Sequence, residues 1–174
     1  MANTYTLISS VTVGSGGTTS IAFSSIPATY TDLVLVLSLR QDQTAANDGQ
    51  IPAIQFNGSS SNFSSRTLRG TGSAASSFSA ITNILTYGSD PSDFTSNTFA
   101  NTQVYIPNYT SSNNKSFSLD GVTENNATNA QAALQANLWS QTAAITSITL
   151  TPFIGGAAVF VQYSTAYLYG ISNA

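Results

Sequence analysis

Hydrophobic and polar residues alternate along most of this chain. Residues 5–13 put Val11 and Val13 on one face and Ser10 and Thr12 on the other, and residues 18–23 turn Ile21 and Phe23 inward. Gly14-Ser15-Gly16-Gly17 lies between them. A period of two on either side of a Gly-bearing loop predicts a β-hairpin. Ile26-Pro27 closes it, because proline cannot donate to a ladder. Residues 31–40 carry Leu33, Leu35, Leu37 and Leu39 on one face, while Val34 and Val36 begin the other before Ser38 and Arg40 turn it polar. A strand that is apolar on both faces is covered on both. A sandwich core takes one face, so the Val34/Val36 face is expected to meet a loop or a neighbouring chain.

Further strands are predicted at residues 51–56, 98–106, 116–122 and 145–151, and a final pair at 159–163 and 165–171, where Tyr167, Tyr169 and Ile171 share a face. Asn57-Gly58 is a turn pair, since both residues accept positive φ. Residues 41–50 read as a polar loop, residues 59–79 as a loop with one short strand around Arg66 to Arg69, and Asp90-Pro91-Ser92-Asp93 as a turn. Residues 80–87 fit no single pattern. Residues 132–139 carry both a helical spacing, Leu134 and Leu138 among alanines, and an alternation. No charged residues supply caps or helix pairs there, which favours a strand. About ten short strands between turn signals predict an all-β, antiparallel, jelly-roll-like β-sandwich. One domain over residues 1–174 is expected, with no helix longer than about two turns.

Composition narrows the chemistry. Of 174 residues, 4 are Lys or Arg and 7 are Asp or Glu; there is no His and no Cys. Charged residues are 6% of the chain, against about 25% in an average domain. Well over a third of the chain is Ser, Thr, Asn or Gln. Disulfides, thiolate and imidazole metal sites, and His- or Cys-based catalysis are excluded. The cations Arg40, Arg66, Arg69 and Lys115 form no basic stripe, so no nucleic-acid partner is expected. Hydrophobic residues at 41% and aromatics at 10% exclude a disordered chain. Met1-Ala2-Asn3-Thr4 lacks the basic start of a secretory signal. The apolar runs at 33–37 and 154–161 fall short of the roughly 20 residues that span a bilayer, so no membrane is expected either.

Candidate sites are few. The carboxylate neighbours are Asp42/Asp48, Asp90/Asp93 and Asp120/Glu124. A glycosidase needs two carboxylates across a scissile bond, but turn and cap roles account for all three pairs. Asn47-Asp48-Gly49 and Asp90-Pro91-Ser92-Asp93 could offer a cation some oxygens, yet neither has an EF-hand spacing. Asn-X-Ser/Thr motifs occur about as often as this composition produces by chance. Trp139, Tyr105, Tyr109, Tyr167 and Tyr169 could form a sugar-binding platform, although their alternating positions fit a core or a chain–chain contact as well. No catalytic, cofactor-binding or metal residue is assigned, and no cofactor is expected.

Several segments carry a family resemblance. They are Tyr5-Thr6-Leu7-Ile8-Ser9-Ser10-Val11-Thr12-Val13 with its Gly-rich turn, and the stretch 23–39 around Ile26-Pro27-Ala28-Thr29-Tyr30-Thr31-Asp32. Val104-Tyr105-Ile106-Pro107-Asn108-Tyr109-Thr110-Ser111 with Lys115-Ser116-Phe117 adds to them, as do Ile145 to Leu150 and the close Tyr163-Ser164-Thr165-Ala166-Tyr167-Leu168-Tyr169-Gly170-Ile171. Together they resemble small Ser/Thr/Asn-rich virion structural proteins of tailed bacteriophages, of the capsid-decoration or fibre type. The resemblance implies a jelly-roll fold and a place in the virion, assembled in the host cytoplasm. It carries no residue with a chemical role.

The shortage of charge points the same way. Sheet edges are usually guarded by lysine, proline, bulges or inward charges, and this chain has one lysine. Closure in an oligomer removes that hazard. The expected function is a non-enzymatic, capsid-decorating (cement or head-fibre) protein that holds by uncharged, shape-complementary contacts. Its expected partners are itself, as a homotrimer, and other virion proteins, the major capsid protein foremost. The alternatives are a carbohydrate-binding adhesion module, with a glycan partner, or a tail-fibre protein.

Overall fold

Alternation becomes eleven strands and no helix among the residues described by the computed structural model, 4–44, 52–124, 130–152 and 158–172. In chain order they are β1 (Tyr5–Thr12), β2 (Ile21–Phe23), β3 (Asp32–Leu39), β4 (Ala53–Phe56), β5 (Phe63–Gly70), β6 (Ala75–Ala80), β7 (Ala100–Ile106), β8 (Lys115–Thr123), β9 (Gln131–Trp139), β10 (Ile148–Thr151) and β11 (Thr165–Ile171). They form two antiparallel sheets. One has eight strands in the order β1-β11-β3-β7-β8-β9-β5-β6, the other three in the order β2-β10-β4. The architecture is an all-β sandwich, jelly-roll-like in that β1, β2, β3 and β4 pass alternately between the layers.

Opposing apolar faces make the core. The large sheet contributes Leu33, Leu35, Leu37 and Leu39 with Val104 and Leu168; the small sheet contributes Ile21, Phe23, Ile54, Phe56, Ile148 and Leu150. At one end four rings meet. The Phe56 centroid lies 5.2 Å from Phe117, 5.4 Å from Trp139 and 5.5 Å from Phe63. The small sheet is too narrow to cover the large one. Residues 83–85 therefore run beside β4, with Ile54 N–H donating to the Asn83 carbonyl and Leu85 N–H to the Pro52 carbonyl, both at 2.8 Å.

Three local expectations are corrected. First, β1 and β2 are no hairpin. β1 pairs with β11, from Tyr5↔Ile171 to Thr12↔Thr165, and β2 pairs with β10. The glycine-rich connection crosses between layers instead. Thr18 bridges Phe160, and Gly17 turns at φ +68 where a Cβ would stand 3.0 Å from the Phe160 carbonyl. Second, residues 159–163 form no strand; Phe160 makes only isolated bridges, to Thr18 and Gln41. Third, residues 59–79 hold more than one short strand, because β5 and β6 pair as a hairpin from Ser65↔Ala80 to Gly70↔Ala75. Their Ser, Thr and Gly content hides the alternation. Within the predicted strand 51–56 and the loop 41–50, residues 45–51 lie outside the described residues. Residues 132–139 are strand, within β9.

The second face of β3 is partly covered within the chain itself. Val34 is 2% exposed and Val36 half-buried. Val34 stands between Tyr169 of β11 and Tyr105 of β7, and Val36 between Tyr167 and Gln103. Residues at paired positions share a face, so large side chains of the same sheet flank Val34 and Val36 on that face.

Gly170 explains the Tyr-Gly-Ile close of the chain. A Cβ there would lie 2.3 Å from the Tyr30 ring, which packs onto the bare backbone of β11. Gly170→Ala is expected to cost about 1–3 kcal/mol through overpacking. In the Tyr30→Ala background the same change should cost far less. Urea denaturation of the four-member cycle measures this, and additive costs would refute the contact.

Candidate functional site

Neither carboxylate pair that lies wholly among the described residues makes a site. Asp90 is fully buried while Asp93 is exposed, so they do not face one another. Asp120 points outward from β8 and Glu124 lies four residues on, about 13 Å at strand rise. Asp42 Oδ1 accepts the Val159 N–H at 2.8 Å. Asp48, with Asn47 and Gly49, lies outside the described residues. Among the described residues no three Asp or Glu side chains cluster as metal ligands would. Among the described residues no helix is long and apolar enough to cross a membrane.

Two of the four cations are structural. Arg40 is 9% exposed. Its Nη1 donates to the carbonyls of Thr95 and Thr98 at 3.0 Å and to Thr98 Oγ1 at 3.2 Å. Nη2 donates to the carbonyls of Ser92 and Phe94 at 3.1 and 3.0 Å. One guanidinium thus gathers the loop 92–98. Its backbone is locked as well, since Arg40 N–H donates to Ser164 Oγ at 3.1 Å and Arg40 bridges Asp90 in parallel. Neither Asp90 carboxylate oxygen has a hydrogen-bond partner. The Thr98 hydroxyl beside it spends its proton on the Thr95 carbonyl at 2.8 Å. Burial raises the Asp90 pKa above 3.8, and Thr98 and Arg40 only partly oppose this.

Lys115 is 1% exposed, at the start of β8. Its Nζ donates to the carbonyls of Ser111, Asn113 and Thr142 at 2.7, 2.6 and 3.3 Å. Burial lowers its pKa below the usual lysine value. These residues are tension points of the fold, and their chemistry is spent on backbone.

The aromatic candidates divide. Trp139 and Tyr109 are core, and Tyr109 O–H donates to the Pro27 carbonyl. Tyr105, Tyr167 and Tyr169 share the outer face of the large sheet. The Tyr167 and Tyr169 rings stack at 6.5 Å and 26°, and Tyr5, which sequence reading did not single out, meets Tyr169 edge-on at 6.4 Å. Leu7 is exposed on the same face, opposite Tyr169. Among the described residues the one charge on the β1-β11-β3-β7 part of this face is Asp32, whose Oδ2 accepts the Tyr105 O–H and whose Oδ1 accepts the Asn108 N–H, both at 2.8 Å. That bond, first of all, raises the Tyr105 pKa.

The outer face continues as a second apolar area that sequence reading missed. Leu134 of β9 is 61% exposed and Leu68 of β5 is 54% exposed, and the register sets them side by side. The exposed Val122 of β8 lies on the same face. The molecule thus offers an extended sheet face with few charges, suited to broad contact with protein. No protein-family model, curated protein or solved structure matches this chain.

Proposed function

We propose that this protein is a non-enzymatic structural component of a tailed-bacteriophage virion, a capsid-decorating protein of the cement or head-fibre type. One observation carries the reading. The β1-β11-β3-β7 half of the large sheet's outer face presents Tyr5, Leu7, Tyr105, Tyr167 and Tyr169 around the buried Val34, with one carboxylate, Asp32, already satisfied by its neighbours. Tyrosines supply large contact area at low entropic cost and keep a polar tip for hydrogen bonds. Exposed apolar area of this kind marks a contact surface, and the partner expected across it is another virion protein, such as the major capsid protein.

Immunogold labelling of purified particles of the encoding virus, with antibody raised against the isolated chain, tests the placement. Label over the head is the expected result. Label at the tail tip supports the fibre reading, and particles without label overturn a virion role. The adhesion alternative draws on the stacked Tyr167/Tyr169 pair, which could also underlie a sugar ring; binding on a glycan array would favour it.

A further inference from the structure

β9 is built inside out. Gln131, Ala133, Gln135 and Asn137 face the interior with Trp139, while Ala132, Leu134 and Ala136 face solvent. The parity is fixed from within. Gln135 Oε1 accepts the Thr86 N–H at 3.0 Å and its Nε2 donates to the Ile84 carbonyl at 3.1 Å, and Trp139 completes the ring cluster. A slip of one residue would reverse every side chain, so the exposed leucine row is held outward by the fold.

The register makes this face a lattice. Asp120, Leu134 and Leu68 form one row, and Ser118, Ala136 and Arg66 the next. Small residues leave two depressions. One is bounded by Arg66, Leu68, Leu134 and Ala136, and the other by Leu68, Gly70, Ala132 and Leu134. The outward positions of β8, β9, β5 and β6 include one acid, Asp120, and one base, Arg66. These two stand two strand spacings and one pleat repeat apart, about 12 Å.

We infer that two copies of this chain pack face to face through the five strands β7, β8, β9, β5 and β6, centred on β9, about a two-fold axis. An axis lying in the face and bisecting the line from Asp120 to Arg66 passes between Leu134 and Ala136. It sets each Asp120 against the other copy's Arg66, so both pairs form at once, as an isologous contact requires. The same operation drops Leu134 of one copy into the first depression of the other, and Leu68 into the second. The five strands β7 to β6 span about 24 Å and offer roughly 600 Å² per copy, or about 1,200 Å² in all, above the ~1,000 Å² of specific interfaces. The leucines supply attraction and the ion pairs set register. The inference does not depend on the virion role.

Sedimentation equilibrium of the purified chain is the test. The parent is expected as a dimer that persists in 1 M sodium chloride, where charge interactions reach only ~3 Å. Leu134→Asp is expected to give a monomer with unchanged far-UV circular dichroism. Arg66→Asp and Asp120→Arg should each weaken the dimer at least about tenfold through like-charge contact, and combining them should restore it to within about threefold. Both charged positions are solvent-facing, so folding is not at stake in the exchange. A parent that is monomeric, or the threefold assembly expected from the sequence, overturns the interface. So does a Leu134→Asp dimer, or a double variant no tighter than either single one. If particles still carry the protein while the exchange fails, the interface falls and the virion role stands.

Discussion

Arg40→Met is expected to destabilise the protein by about 3–5 kcal/mol, the range for removing one member of a buried charged constellation. Methionine keeps the bulk but leaves the carbonyls of Ser92, Phe94, Thr95 and Thr98 without their donor. It also leaves the Asp90 carboxylate buried without its countercharge. The sign with pH follows. The folded-state pKa of Asp90 already lies above 3.8, so its ionised form costs stability. That cost is absent below the ordinary carboxylate pKa and grows as pH rises through the folded value. Without Arg40 the folded value rises further. The deficit of the variant should therefore be largest near neutral pH and narrow on acidification, the reverse of ordinary acid denaturation. Asp90→Asn in the same background should remove the narrowing. Urea midpoints across that pH range measure both, and a pH-independent deficit below about 1 kcal/mol would refute the account.

Phe56→Ala is the second large effect, about 3–5 kcal/mol. Phe56 is fully buried, with three rings within 5.5 Å of its centroid. It is the one member of the cluster from the small sheet, so its loss opens a cavity where the two layers join. Trp139, the only tryptophan, is edge-on to it and reports the change as a red-shifted emission. Phe56→Leu should recover more than half of the loss. A parent-like midpoint for Phe56→Ala would mean that the layers can close over the gap.

What the sequence makes legible is local. The leucines of β3, the Asn57-Gly58 turn and the tyrosine face of β11 all follow from alternation or turn chemistry, and the structure has them where the residues imply. Asn57 and Gly58 both take positive φ. Pairing partners are not local. Glycines at 14–17 serve a hairpin or a layer crossing equally well, and only the position of Phe160 decides. Arg40 and Lys115 are invisible as core residues because their partners are backbone carbonyls, which have no sequence signature. The leucine row of β9 is misleading for another reason. Apolar residues normally set the inward face, yet here the hydrogen bonds of Gln135 and the ring of Trp139 outweigh Leu134 and Leu138, so the outward patch reads as core or as helix.

The burial of Arg40 and Lys115 has a practical consequence for detection. Trypsin cuts after lysine and arginine, and the chain has four such residues. In the native state Arg40 and Lys115 are sealed in, and Arg66 and Arg69 sit in β5 with ladder partners on both sides. The folded protein is therefore a poor trypsin substrate, and amine-reactive labels find no exposed lysine. Even after denaturation, cleavage leaves the stretch from Ser116 onward in one piece. Routine peptide mapping will under-count this protein, and a protease that cuts at aromatic or small residues is the appropriate reagent.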